Sequence, residues 1–202
     1  MQISIALPIH DMDNGQAFLD RGLRSIEQQH YKNYEVVITK EGKMAKNTNE
    51  AIKRSTGDLI KILYMDDYLA TKDALQHIID AFNLFPKANW LASGCLHDNP
   101  HYDDLINPHY PTYNDDIHNG NNTIGSPSVV TIRKGLDIWF DEEMSWLLDC
   151  DFYKRMYEKW GPPILLNSMD VALGIGEHQM THKLTDTDKL LEHNYIQEKY
   201  ER

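Results

Sequence analysis

The chain has 202 residues, of which 41% are hydrophobic and 25% are charged, the composition of an ordinary globular protein with one core. Its formal net charge of −11 argues against nucleic acid or an anionic membrane surface as the main partner, because both are negatively charged. The two cysteines, Cys95 and Cys150, form no CxxC pair, so we expect reduced thiols rather than a zinc site or a disulfide framework.

The sequence indicates neither export nor membrane insertion. Residues 3–7 have the pattern of a strand, without the basic n-region and apolar h-region of a signal peptide. No apolar stretch approaches the ~20 residues that a bilayer-spanning helix needs. We therefore expect a cytoplasmic protein with no direct membrane insertion.

The first half of the chain alternates predicted strands and helices. The strands are 3–9, 35–39 and 59–65, and the helices are 15–29, 47–54 and a segment around 75–82. Asn47 and Glu50 have the spacing of a capping box at the start of the second helix. This alternation predicts a parallel sheet with right-handed crossovers.

The second half is less regular. Its predicted strands are 90–93, 128–132 and 171–175, and its predicted helices are 149–160 and 185–200. Residues 97–123 are polar and show no period, so we expect a functional loop or a lid with too few apolar side chains to pack on the core. The last helix is polar and is expected to pack on the outside.

Several common nucleotide and catalytic motifs are missing. No GxGxxG follows the first strand, and Gly174-Ile175-Gly176 is not followed by the third glycine. The sequence also contains no GxxxxGK[ST] and no GxSxG. These absences argue against a dinucleotide-binding Rossmann site, a P-loop and a hydrolase nucleophile elbow.

Two adjacent carboxylates, Asp66 and Asp67, follow the predicted strand 59–65. The carboxyl ends of the strands are where open α/β sheets bind ligands. Hard oxygen ligands at this place suit Mg²⁺ or Mn²⁺, and such a metal suits a diphosphate. The alternative is a polar turn that closes the strand, since Asp is common in turns.

Five segments, in order, resemble a GT-A fold glycosyltransferase of family 2. They are 3–10, 34–42, 47–60, 64–67 and 141–156. They are similar to the family's opening strand, its second strand, its Ala-x-Gly-Glu-Tyr-Ile run, its DxD motif and its Glu-Asp-x-Asp-Leu-x-x-Arg-Leu segment. Tyr64 stands where the DxD has its first aspartate, and Leu148 replaces the acid that precedes Asp149.

The resemblance implies an α/β, GT-A-like single domain with a Rossmann-like, mostly parallel sheet flanked by helices. The domain would span 1–202, with a nucleotide-binding half at 1–95 and an acceptor and catalytic half at 96–183. The C-terminal helix would occupy 184–202.

The resemblance also implies roles for individual residues. Asp66 would bind the metal, and Asp67 would lie beside it at the nucleotide diphosphate. His178 lies where the family has a metal-binding histidine, and it could replace the missing DxD carboxylate. Asp149 would be the general base of an inverting transfer. Asp149 could instead stabilise the start of its helix, and His178 could be an exposed histidine without a role.

The remaining predicted ligands belong to the nucleotide. Pro8, His10 and Glu41 would line the nucleoside pocket, with Glu41 in place of an aspartate expected near the base. Lys43 and Lys46 lie between the second strand and its helix and could reach the phosphates. The alternative for both lysines is a solvated surface.

The predicted activity is Mn²⁺- or Mg²⁺-dependent transfer of a hexose, with glucose as the best guess, from a UDP-sugar to an unknown hydroxyl acceptor. The acceptor is expected to enter beside 97–123 and 126–128. One alternative is a sugar-nucleotide nucleotidyltransferase, although the acidic segment 10–15 stands where that class has a Gly-rich basic loop. Another is a non-catalytic nucleotide or carbohydrate binder.

Overall fold

A computed structural model describes residues 1–200 as one eight-stranded sheet with helices packed against it. The strands are β1 (Ile3–Pro8), β2 (Tyr34–Thr39), β3 (Leu59–Ile62), β4 (Tyr68–Leu69), β5 (Trp90–Asp98), β6 (Ile106–His109), β7 (Val130–Arg133) and β8 (Ile164–Gly174). The helices are α1 (Gly15–Glu27), α2 (Met44–Arg54), α3 (Ala74–Leu84), α4 (Leu148–Trp160), α5 (Met180–Lys183) and α6 (Asp186–Tyr200).

The strand order is β2-β1-β3-β7-β5-β8-β4, with β6 paired to β5. β1 is parallel to β2 and β3, and β5 is parallel to β8. β7 is antiparallel to both β3 and β5. The predicted α/β class is confirmed, but the sheet is mixed rather than mostly parallel. The reason is that no α-helix separates β5 from β7, and a parallel pairing usually requires such a crossover.

Apolar side chains cover both faces of the sheet. On one face Ile3 and Ile5 pack in a buried cluster with Ile78 of α3. On the other face Ile60 packs in a second buried cluster with Phe152 of α4. Burial on both faces explains why the first strands are nearly continuous apolar runs, and it leaves the strand ends as the place for polar side chains.

Helix α2 begins at Met44, three residues before the predicted start. Asn47 therefore lies inside the helix, and it forms no capping box with Glu50. Its side chain donates to the carbonyl oxygen of Ile9 at 2.8 Å and accepts from the backbone N–H of Glu41 at 2.9 Å. Asn47 thus ties together the segments that follow β1 and β2.

The polar segment 97–123 is packed more firmly than its sequence predicted. Its start belongs to β5, and β6 pairs with that strand. Ile117 is fully buried, and Tyr113 stacks on Tyr157 of α4 with 3.6 Å between the ring centroids. The expectation that this segment lacks fixed packing is therefore wrong, because a few isolated apolar residues anchor it.

Helix α6 is attached to α4 by buried and charged contacts. Ile196 is fully buried, and Lys199 lies 2.6 Å from Asp141 and 2.8 Å from Asp151. The helix was predicted within 184–202, of which residues 201–202 lie outside the described part of the chain. Across residues 1–200, every helix is too short or too polar to cross a membrane.

Candidate functional site

One cavity of about 280 Å³ brings together residues that are far apart in the sequence. It lies where β1, β3 and β8 end. The predicted site residues that line it are His10, Asp66, Asp67, Asp149 and His178. Other polar and aromatic side chains in its wall include Tyr64, Ser126, Trp146, Gln179 and Lys183.

Asp66 and Asp67 occupy different environments. The Asp67 side chain points inward, where it accepts from the backbone N–H of Gly174 at 2.9 Å. Burial, and secondarily the adjacent Asp66 carboxylate, raises the pKa of Asp67 above its ordinary value. Asp66 is partly exposed, and its Oδ2 lies 3.2 Å from Nε2 of His178. Asp67 therefore anchors the turn, and Asp66 is the carboxylate available to a ligand.

The Asp66–His178 pair fits a divalent cation bound together with a nucleotide. Nε2 of His178 is buried and has no hydrogen-bond partner, although it lies close to Asp66. Within residues 1–200, no group of three or more His, Cys, Asp or Glu side chains is arranged to hold a metal. Mg²⁺ and Mn²⁺ accept sites with few protein ligands, because water and phosphate oxygens complete their coordination.

His10 lies in the same wall, and its surroundings favour the uncharged imidazole. Burial lowers the pKa of His10, and this effect outweighs the opposing attraction of Asp66. Its Nδ1 atom is buried without a partner. A neutral imidazole of this kind can accept or donate a hydrogen bond to a ligand in the cavity.

Gly174 explains how β8 approaches the aspartate turn so closely. A Cβ atom at this position would clash with the carbonyl oxygen of Asp66. Only glycine therefore allows the backbone N–H of residue 174 to reach Asp67. The sequence feature that points to this role is the position of Gly174 near the end of a predicted strand.

Asp149 also lines the cavity, from the first turn of α4. Its Oδ1 accepts from the backbone N–H of Cys150 at 2.7 Å, and its Oδ2 accepts from the Asn122 side chain at 2.8 Å. Burial raises the pKa of Asp149 to about 6, and these two hydrogen bonds oppose the rise. Such a carboxylate is ionised at neutral pH and remains basic enough to accept a proton.

Asp151 is close in sequence but does not share this environment. It is fully buried, and it pairs with Arg155 at 2.6 Å and with Lys199 at 2.8 Å. It does not line the cavity. Asp151 therefore holds α4 against α6.

Four predicted nucleotide ligands do not line the cavity: Pro8, Glu41, Lys43 and Lys46. Pro8 is buried in β1, and Glu41 forms an ion pair with Arg54. Both lysines are exposed. Their contacts with a nucleotide stay a prediction.

A second cavity of about 1,040 Å³ meets the first at Gly174, His178 and Lys183. Asp98 at the end of β5 and Arg21 of α1 contribute to its wall. Arg21 pairs with Asp98 and donates to the carbonyl oxygen of Asp66 at 2.6 Å. The sequence offered no signal for Arg21, because it is one charged residue on a polar helix face.

No family model matches the sequence, and no curated protein matches it. Solved structures do match. S. aureus TarS 1–349 in complex with UDP is 17% identical, with a TM-score of 0.67 over 88% of this chain and 61% of that chain. The same protein with UDP-GlcNAc gives 17% identity and a TM-score of 0.69 over 97% and 65%.

The mannosyltransferase PcManGT from Pyrobaculum calidifontis, in complex with GDP-Man and Mn²⁺, is 12% identical with a TM-score of 0.65. The match covers 98% of this chain and 64% of that chain. The chain thus spans less than two thirds of each of these structures. At such identities the likeness concerns the fold, and it confirms the predicted GT-A-like α/β class.

Proposed function

We propose that the protein is a metal-dependent glycosyltransferase that moves a hexose from a UDP-sugar to an acceptor hydroxyl with inversion. The observation that carries this proposal is that the Asp66–His178 pair and Asp149, which are far apart in the sequence, line one cavity. The fold neighbours support it, because their structures contain UDP, UDP-GlcNAc, or GDP-Man with Mn²⁺.

In this proposal Asp66 and His178 hold Mn²⁺ or Mg²⁺ beside the diphosphate. When bound, the cation supplies positive charge that stabilises the departing nucleoside diphosphate. Lys183, where the two cavities meet, adds a second positive charge on this side. His10 contributes a neutral hydrogen-bonding group to the same wall.

Asp149 acts as the base. The acceptor oxygen bonds to the anomeric carbon while the bond from that carbon to the phosphate oxygen breaks. The hydroxyl proton passes to the Asp149 carboxylate. The Asn122 and Cys150 hydrogen bonds keep this carboxylate ionised and fix its orientation.

Trp146 and Ser126 also line the cavity. An aromatic ring offers an apolar face to a hexose, and Trp146 is the indole in this wall. Glucose is the donor sugar expected from the sequence, and N-acetylglucosamine is the sugar in one neighbour's structure. Both belong in the donor panel.

A non-catalytic nucleotide-sugar binder is the second candidate. It is favoured by Tyr64, which lines the cavity at the position of the first DxD aspartate and cannot bind a metal as a carboxylate does. The two candidates differ only in turnover.

The test measures thermal stabilisation and UDP release with UDP-glucose, UDP-GlcNAc and GDP-mannose, each with Mn²⁺ and with EDTA. We expect Mn²⁺-dependent stabilisation by a UDP-sugar, and UDP release that Asp149→Asn lowers by roughly 10²-fold or more. Stabilisation without release would identify a binder. Pyrophosphate release from UTP and a sugar 1-phosphate would identify a nucleotidyltransferase, and no response to any nucleotide would refute the proposal.

A further inference from the structure

The three residues before helix α4 donate their backbone N–H groups to a side chain from α6. Oε1 of Glu192 accepts from the N–H groups of Ser145, Trp146 and Leu147 at 3.0, 2.7 and 2.7 Å. Oε2 also lies 3.1 Å from the nitrogen of Ser145. One carboxylate thus satisfies three consecutive backbone donors.

This contact lies at the N-terminus of α4, where the N-cap side chain forms no hydrogen bond. The residue that precedes α4 is Leu147, whose side chain cannot accept a hydrogen bond. A helix N-terminus leaves backbone donors unpaired and carries partial positive charge. The Glu192 carboxylate pairs the N–H of Leu147 and adds negative charge beside this terminus, although it comes from a helix more than forty residues along the chain.

The bound segment is part of the cavity wall. Ser145, Trp146, Leu148 and Asp149 all line the cavity. The three N–H groups end two residues before Asp149, so the position of the Asp149 carboxylate depends on how this segment is held.

Glu192 is itself fixed. Ile196, one turn further along α6, is fully buried, and the side chains of Tyr195 and Lys199 bond to Asp141 at 3.0 and 2.6 Å. The α6 backbone therefore has several attachments besides Glu192. Loss of the Glu192 carboxylate would release residues 145–147 without detaching the helix.

We propose that Glu192 is a positioning residue that sets the Asp149 carboxylate and the Trp146 ring for the transfer step. The inference rests on the proposed function, in which Asp149 is the base. Glu192 acts through backbone atoms and lies outside the cavity wall, so it should affect turnover and leave nucleotide affinity unchanged.

The test compares Glu192→Ala with Glu198→Ala, which removes an exposed glutamate from the same helix. With the sugar nucleotide that the wild type turns over, we expect kcat of Glu192→Ala to fall about 10- to 100-fold, the scale of a misplaced catalytic group. The Kd for UDP with Mn²⁺ should stay within about twofold of wild type, and Glu198→Ala should match wild type in both.

Glu192→Gln keeps an acceptor oxygen without the charge, so its kcat should lie between those of wild type and Glu192→Ala. If the Glu192→Ala variant does not fold, the Glu192→Gln variant alone tests the inference. Wild-type turnover together with unchanged kcat in the glutamine and alanine variants would overturn the inference and leave the proposed function standing. Equal losses in kcat and UDP affinity would also overturn it. Absence of turnover in the wild type would overturn the proposed function first.

Discussion

The two walls of the cavity are built in different ways. On the first wall, Asp66 and His178 follow strands of the sheet, and the Asp67–Gly174 hydrogen bond joins the two strand ends. On the second wall, Asp149 stands in the first turn of a helix. Its carboxylate is held by Asn122, and the backbone before it is held by Glu192.

This difference predicts which side chains control nucleotide affinity and which control turnover. The sheet fixes the first wall through regular backbone pairing. Substitution of most side chains outside the sheet should therefore leave the geometry of this wall unchanged. The second wall relies on single side-chain contacts from distant parts of the chain. We therefore expect nucleotide affinity to depend on the first wall, and turnover to depend on the second wall and its supports.

The largest expected effect is that of Asp149→Asn. The amide keeps the size of the side chain but cannot accept the acceptor proton, so transfer should fall by roughly 10²-fold or more. UDP affinity with Mn²⁺ should not change, which calorimetry can measure. Asp137→Asn, at an exposed position, is the control. A parallel loss of UDP affinity would show that the two walls do not act separately.

The next effect is that of Asp66→Ala. Loss of the available carboxylate should weaken Mn²⁺-dependent UDP binding about 10-fold or more, within the range seen when metal sites are perturbed. Binding measured in EDTA should change little. Asp104→Ala, at an exposed position outside both cavities, is the control. Unchanged UDP affinity with Mn²⁺ would remove Asp66 from the metal site.

The Asn122→Asp variant tests, through the pH dependence of the rate, how the Asn122 hydrogen bond supports Asp149. Aspartate keeps the oxygen that accepts from Gly125, but it removes the donor to Asp149 and places a carboxylate there. Both changes raise the pKa of Asp149. Because the base must be deprotonated, the wild-type rate should fall as pH drops through about 6.

In the Asn122→Asp variant, this acidic limb should move to higher pH by about one unit, with the alkaline side unchanged. The control is Asn121→Asp, which adds the same charge at an exposed position. An unmoved limb in the Asn122→Asp variant would mean that another group controls the acidic side of the profile.

Several residues that the sequence singled out lie together in one cavity, for a physical reason. Apolar runs followed by Asp66 and Asp67 locate the carboxyl end of a buried strand, and strand ends meet at one edge of a sheet. The order of motifs placed Asp149 and His178 near them, and all four residues line one cavity.

The supports of the second wall could not be predicted in this way. Glu192 lies in a polar helix, where a glutamate that binds three backbone N–H groups looks like any solvated glutamate. Asn122 meets Asp149 across 27 residues that include strand β7. Ile117 and Tyr113 anchor the segment 97–123 as isolated residues. They do not belong to the periodic apolar pattern by which a buried helix or strand face is recognised in a sequence. These contacts depend on tertiary geometry that local patterns do not encode.

The smallest expected effect concerns the positive charges near the diphosphate. Lys43 and Lys46 were predicted to reach the phosphates, but both are exposed outside the cavity, whereas Lys183 lies where the two cavities meet. Lys183→Ala should weaken UDP affinity about fivefold, as expected for a partly screened charge pair. The loss should shrink at high salt.

Uridine has no phosphate, so its affinity should be the same in wild type and Lys183→Ala, and this comparison isolates the charge effect. Lys87→Ala, at an exposed position outside both cavities, is the matched control, and its UDP affinity should stay within about twofold of wild type. Lys46→Ala tests the phosphate contact predicted from the sequence. A larger loss in Lys46→Ala than in Lys183→Ala would place the phosphates beside the start of α2. The first wall would then extend from the strand ends to that helix, and its nucleotide contacts would no longer come from the sheet edge alone.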